Sequence, residues 1–163
     1  SKEADLRLLI IYDSQYGNTE KIAQAIGNCL KENGEVDLLR VGEATPDQLK
    51  GINLLVVGSP TQQFRATQTM RTFLSSLPKN GLKGIKAAAF DTRLTQAIID
   101  QNGALSFFER IFGYAAERIA KKLKEKGCIL VVKGEGFFVE GMEGPLSPGE
   151  LERAGSWAKQ LLA

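Results

Sequence analysis

The chain has 163 residues, 43% of them hydrophobic and 25% charged, which is the composition of one folded domain of ordinary size. Its net charge is +2, from 21 basic and 19 acidic residues, and no Lys/Arg cluster alternates with aromatics, so nucleic acid is not an expected partner. Histidine is absent, which excludes His-ligated zinc, axial-His haem, Ser-His-Asp triads and Cys-His dyads. No apolar run approaches the roughly 18 residues of a membrane span. The opening Ser-Lys-Glu-Ala-Asp lacks a basic region followed by an apolar one, so no signal peptide and a cytoplasmic location are expected. Cys29 and Cys128 form no C-x-x-C pair and are expected as reduced, mostly buried thiols. A tyrosine-phosphatase loop would need arginine six positions after a cysteine, where Glu35 and Gly134 stand instead.

In chain order, Leu6 to Tyr12 reads as a first strand. Ile22, Ala23, Ile26, Cys29 and Leu30 recur at helical spacing, and Asn33-Gly34 ends that helix. Val36 to Val41 is a second, more polar strand, followed by a short helix near Pro46 to Lys50. Leu54 to Val57 is a third strand, Thr67 to Leu77 a helix stopped by Pro78, and Lys86 to Phe90 a fourth strand. The polar stretch from Asp91 to Gly103, about 13 residues, reads as a functional loop, either a lid or a partner surface. Leu105, Phe108, Ile111, Phe112, Ala115, Ile119 and Leu123 predict one long helix closed by Lys126-Gly127. Its late lysines, Lys121, Lys122, Lys124 and Lys126, read as a solvated face that complements the helix dipole. Cys128 to Val132 is a fifth strand, extending through Phe137 and Phe138 past the Gly134 and Gly136 interruption. Ser147-Pro148-Gly149-Glu150 reads as a capping box, opening a final helix with Trp157 in the core.

Five strands alternating with helices predict an α/β fold, a parallel sheet covered on both faces. Glu35, Asp37 and Arg40 mark the second strand as an edge. Ligands of such sheets bind beyond the carboxyl ends of the strands, so the loops after Tyr12, Val57, Phe90 and Val132 are the ones to inspect. The first reads Asp13-Ser14-Gln15-Tyr16-Gly17-Asn18-Thr19 and runs into a helix. Gly17 takes a positive φ at no cost and Asn18 tolerates one. Inward N–H groups, the helix N-terminus and two hydroxyls together suit a phosphate monoester. The same residues also suit an ordinary Gly-Asn turn with Thr19 near the N-cap. There is no Walker lysine and no G-x-G-x-x-G.

The wording of this stretch, Ser14-Gln15-Tyr16-Gly17-Asn18-Thr19-Glu20-Lys21-Ile22-Ala23, resembles the FMN phosphate loop of the flavodoxin family. Gly58-Ser59-Pro60-Thr61 resembles the Gly-x-Pro-Thr that opens the family's first flavin-flanking loop, and Phe90-Asp91-Thr92-Arg93 stands where the second lies. The resemblance implies a single domain over residues 1–163, a doubly wound three-layer sandwich with a five-stranded parallel sheet in order 2-1-3-4-5, and non-covalent FMN. Ser14, Gln15, Tyr16, Gly17, Asn18 and Thr19 would then hold the phosphate. Ser59, Pro60 and Thr61 would line the ribityl chain and the N5 side of the ring. Gln62, Gln63 and Phe64 would flank the isoalloxazine, and Asp91, Thr92 and Arg93 would approach its pyrimidine edge or outer face. No catalytic acid–base side chain and no metal site are expected. The implied function is electron transfer with transient redox protein partners, by a monomer or weak homodimer. The alternatives are an NAD(P)H-dependent quinone or flavin reductase, or an interaction domain with a vestigial flavin site. A phospho-receiver domain is disfavoured, because Gly58-Ser59-Pro60 replaces its aspartate.

Two departures from the family stand out. Gln62 and Gln63 occupy the place of an aromatic after Pro-Thr, and no aromatic follows Phe90, so the ring is expected to be less sandwiched. Arg65 and Arg93 sit in the two flavin loops of a chain that is not acidic. Positive charge near N1–C2=O favours an anionic reduced flavin, which predicts a less negative second-electron potential than an acidic flavodoxin has. Alternatively the arginines point to solvent or pair with Asp91 or Asp100.

Overall fold

The computed structural model describes residues 6–163, apart from the side chains of residues 108–112. The expected start without a leader, at residues 1–5, and the side chains of Phe108, Ile111 and Phe112 lie outside the described residues. Six strands form one parallel sheet: β1 (Arg7–Tyr12), β2 (Glu35–Arg40), β3 (Leu54–Pro60), β4 (Lys86–Leu94), β5 (Ile129–Leu130) and β6 (Glu135–Val139). The order is β2-β1-β3-β4-β5, with β6 also on β4, so the predicted 2-1-3-4-5 sheet is present. β1 pairs on both edges, Ile10 opposite Leu38 of β2 and Val56 of β3. β2 is half-exposed along its length, as an edge strand should be.

Helices α1 (Asn18–Leu30) and α6 (Glu150–Gln160) cover one face of the sheet. There Leu8, Ile10, Leu54, Val56, Ala88 and Phe90 meet Ile22, Ile26, Ala154 and Trp157. Helices α2 (Gln68–Ser76) and α5 (Ala115–Glu125) cover the other, where the intervening residues Leu9, Ile11, Leu55, Val57, Ala87 and Ala89 meet Met70, Leu74, Ile119 and Leu123. Period-two alternation along strands apolar on both faces thus builds two cores. Phe90, Phe137 and Trp157 close the first with ring centroids 6.0–6.2 Å apart, edge to face. Gly58 lies under the Phe90 ring, where a Cβ would come within 2.0 Å of it.

Tertiary context redraws four predicted features. β4 runs on to Leu94 and is followed by the short helix α3 (Gln96–Asp100), whose N-cap Thr95 accepts from the Ile98 N–H, so the expected 91–103 loop is mostly regular structure. The predicted long helix is two, α4 (Gly103–Phe112) and α5, because Gly113 is left-handed at φ 68° and Tyr114 is extended. The fifth strand is split: β5 pairs with Lys86 and Ala87, and β6 pairs with Phe90 to Leu94. The capping box does not form. Gly149 at φ 83° is the N-cap of α6, the buried Ser147 hydroxyl has no partner, and Glu150 turns back to the Phe138 N–H at 2.7 Å.

The lysine run is only partly a solvated face. Lys126 donates to the carbonyls of Leu77 and Ser75 at the end of α2. Both cysteines are free, and burial pushes the Cys128 thiol up to about 11, which makes it inert. Among the described residues no helix is long and apolar enough to cross a membrane, and no His/Cys/Asp/Glu group could hold a metal ion.

Candidate functional site

The carboxyl ends of β1, β3 and β4 open into a cleft of about 1080 Å³. Its first wall is the loop between β1 and α1. The Asp13 carboxylate accepts from the Ser14 N–H at 2.9 Å and from the Thr67 hydroxyl at 2.6 Å, tying the loop to the start of α2. The Ser14 hydroxyl accepts from the N–H groups of Gly17 (3.1 Å) and Glu20 (3.3 Å). With Gly17 at φ 94°, the chain turns so that the N–H groups of Gln15, Tyr16, Asn18 and Thr19 meet no acceptor among the described residues. Asn18 and Thr19 open α1, so their N–H groups lack intrahelical acceptors and carry its positive dipole end. The arrangement is a nest for an anion.

Side chains around the nest hold it in shape. The Asn18 amide donates to the Glu143 carbonyl at 3.1 Å, and the Thr19 and Thr92 hydroxyls share a hydrogen bond at 2.8 Å. Gln15 accepts from the Gln62 amide across the cleft. Behind the loop, Arg40 donates to the Ser14 carbonyl at 2.9 Å and to Glu20 at 3.0 Å, offsetting that carboxylate beside the nest. Tyr12 donates to the same Glu20 at 2.6 Å, and burial followed by that hydrogen bond pushes its phenol up to about 12.

The second wall follows β3. Gln62 and Arg65 exchange backbone hydrogen bonds at 2.8 and 3.1 Å around Gln63 and Phe64, which are left-handed at φ 50° and 66°. Two such residues are the mark of a type I′ turn, usually made by Asn-Gly. Ser59 is buried; its hydroxyl donates to the Pro60 carbonyl and accepts from the Thr67 N–H, each at 3.0 Å.

The third wall joins β4 to α5. Asp91 is fully buried and accepts from Arg93 Nε (2.7 Å), Arg93 Nη2 (2.8 Å) and the Ala116 N–H (2.9 Å). Burial raises its carboxyl, against the opposing pull of Arg93 and that N–H. Thr61 caps the preceding N–H, that of Ala115, at 3.2 Å. Two strands thus cap α5 from outside and set Tyr114, its N-cap residue, in the wall. The Arg93 guanidinium lies 3.7 Å from the Tyr114 ring centroid, and Phe64 is the next ring at 6.4 Å. Gly136 leaves room for Arg93, since a Cβ there would sit 2.0 Å from its Nε.

All but three of the residues singled out in the sequence stand in the cleft wall; Gly17, Ser59 and Asp91 lie behind it. Sequence reasoning did not find Arg71, Tyr114, Arg118 or Met142, which also line it. Tyr114 was hidden by the helical period running across it, and Gly113 was the available signal of a break.

The flavodoxin family model matches residues 10–157. This chain belongs to the flavodoxin family. A flavodoxin from Aquifex aeolicus is 34% identical over 73 residues, 44% of this chain and 40% of that protein. An NAD(P)H dehydrogenase (quinone) from Paraburkholderia phymatum is 30% identical over 115 residues, 55% of this chain and 58% of that protein. The chain therefore spans less than two thirds of the length of these relatives. Among solved structures, flavodoxin 2 from Bacillus cereus superposes with a TM-score of 0.77 at 23% identity, over 96% of this chain and 97% of that one. That likeness speaks for a shared fold.

Proposed function

We propose that this flavodoxin-family chain binds FMN non-covalently in the cleft and passes electrons between redox partners. The observation that carries the reading is the set of four N–H groups, of Gln15, Tyr16, Asn18 and Thr19, left open at the start of α1. A phosphate monoester satisfies such donors, and the family's members typically bind FMN. In this reading Ser14 holds the loop in its turn through Gly17 and Glu20, and the Thr19–Thr92 pair joins the phosphate end to the ring end. The Gln62–Arg65 turn forms one side of the ring site and Tyr114 extends the other. Bound flavin supplies the electron chemistry, while the protein supplies binding, orientation and electrostatics. No acid–base side chain is assigned.

The test is an absorbance titration with FMN against riboflavin. Saturable binding of FMN and markedly weaker binding of riboflavin support the reading, since only FMN carries the phosphate. Equal binding, or none, overturns it. A second reading, an NAD(P)H-dependent quinone reductase, is favoured by the quinone-dehydrogenase relatives. Rapid NAD(P)H oxidation by the FMN-loaded chain in the presence of a quinone would select that reading over the carrier.

A further inference from the structure

Among the described residues the cleft wall contains four arginines, Arg65, Arg71, Arg93 and Arg118, and no Asp or Glu. Arg93 is balanced where it stands by Asp91. The other three are exposed. Arg65 is at the foot of the tight turn, Arg71 is on α2 and Arg118 is on α5, which packs against α2. Along α5 the exposed Lys121 follows Arg118 at the i+3 position, and Lys122, at i+4, pairs with Glu125 at 3.5 Å. The exposed Glu117 and Glu125 are on that helix and are not in the wall. In the same cleft wall two large apolar side chains stay exposed, Tyr16 at 45% and Met142 at 79%.

Exposed Tyr and Met side chains in one cleft with arginines match the composition enriched in protein interfaces. A small anion would need the charge but not the exposed apolar groups. We infer that this cleft rim is a docking surface for an acidic redox protein, steered by Arg65, Arg71 and Arg118 and seated on Tyr16 and Met142. The redox meaning of this surface rests on the flavin reading above; the surface itself is tested without it. In the transfer, the partner's reduced centre loses one electron and the flavin gains one.

The probe is a plant-type ferredoxin, an acidic iron–sulfur protein whose low potential makes it a donor to flavin. In the first arm, amide NMR shifts of the chain are followed on adding oxidised ferredoxin, with no FMN added. Shifts centred on Arg65, Arg71, Arg118 and Met142, abolished in about 1 M salt, are expected, and shifts elsewhere or none overturn the inference. In the second arm, reduced ferredoxin is mixed with the FMN-loaded chain between about 0.01 and 1 M salt, over which the screening length falls from about 30 to about 3 Å. The rate is expected to fall about tenfold or more, and with cytochrome c, a basic protein, as the acceptor from the reduced chain it is expected to rise. Arg65→Glu with Arg118→Glu is expected to reverse both slopes, compared at saturating FMN. Slopes of the opposite sign, or none, in the parent chain overturn the docking surface even where FMN binds. Tighter binding of NADP⁺ than of ferredoxin at the same arginines also overturns it, in favour of a dinucleotide site. Failure to bind FMN, with the NMR shifts intact, sinks the proposed function and leaves the surface standing.

Discussion

Arg93 has two partners that a single substitution cannot separate. It neutralises a fully buried carboxylate and it stacks on a ring in the cleft wall. Arg93→Ala is expected to cost about 3–5 kcal/mol in denaturant unfolding, because Asp91 is left charged and buried. Its effect on flavin would be confounded by that loss. Arg65 is exposed in the same cleft and is the cleaner probe of charge on the flavin. Arg65→Gln is expected to make the second-electron potential more negative by about 40 mV or less, since an exposed charge pair is worth up to about 1 kcal/mol. Spectroelectrochemical titration reads the shift, and an unmoved potential would end the tuning idea. Gln63 stores strain of another kind, a left-handed backbone in a residue that disfavours it. Gln63→Asn is expected to raise stability by about 0.5 kcal/mol, read as a higher denaturation midpoint at unchanged slope. Residue types and their order were legible at this scale. The Ser14–Thr19 loop proposed to hold a phosphate could be named from the sequence, whereas the Arg93–Asp91 pairing stood beside solvent exposure, an Asp100 pair and a place near the flavin until the third wall was seen.

Helix α6 shows how an element is anchored by something other than its local motif. Glu150 accepts from the Phe138 N–H on β6 and pairs with Arg153 at 2.7 Å, and Arg153 lies over the Phe137 ring at 4.5 Å. Burial pushes the Glu150 carboxyl up, but Arg153 and that N–H outweigh it and hold it below its ordinary 4.5. A carboxyl depressed on folding contributes stability above its unfolded value, and that stability is lost as pH falls through the folded one. Unfolding free energy is therefore expected to drop in the parent chain as pH falls below the ordinary 4.5. Glu150→Gln should be less stable at neutral pH and show a shallower acid dependence; parallel pH curves for the two proteins would refute this anchor. The local pattern Ser147-Pro148-Gly149-Glu150 pointed to a capping box, and the packing of α6 on β6 prevailed. The long predicted helix failed likewise, because Gly113 sits left-handed where the chain must turn to bring Tyr114 into the cleft.

For the molecule as a whole, ligand binding and folding are linked. FMN at about 100 times its dissociation constant is expected to add about 2.7 kcal/mol to the folded state, some 6–10 °C in the melting temperature of a domain this size. Riboflavin at the same concentration should add less, because it leaves the nest at Asn18 and Thr19 unfilled. Equal shifts in a thermal melt would argue against a phosphate role for that loop. The layered parallel sheet followed from the sequence itself, because strands buried on both faces read as continuous apolar runs and the helices between them keep a 3.6-residue period. The Ser14–Thr19 loop was legible for a related reason: it is contiguous, so its turn, hydroxyls and helix start are all local. The rest of the site is assembled from distant parts of the chain. Asp91 caps α5 across 25 positions, Arg40 braces Ser14 across 26, and Asn18 reaches the Glu143 carbonyl across 125. Arg65, Arg71 and Arg118 share one cleft only because β3 ends, and α2 and α5 start, at the same side of the sheet. Sequence alone determined the alternation of strands and helices and a parallel sheet covered on both faces, since these depend on short-range periodicity, and the resemblance to the family supplied the strand order. Only the tertiary structure decided which charges come together in one cleft, because that depends on which strand ends and helix starts converge.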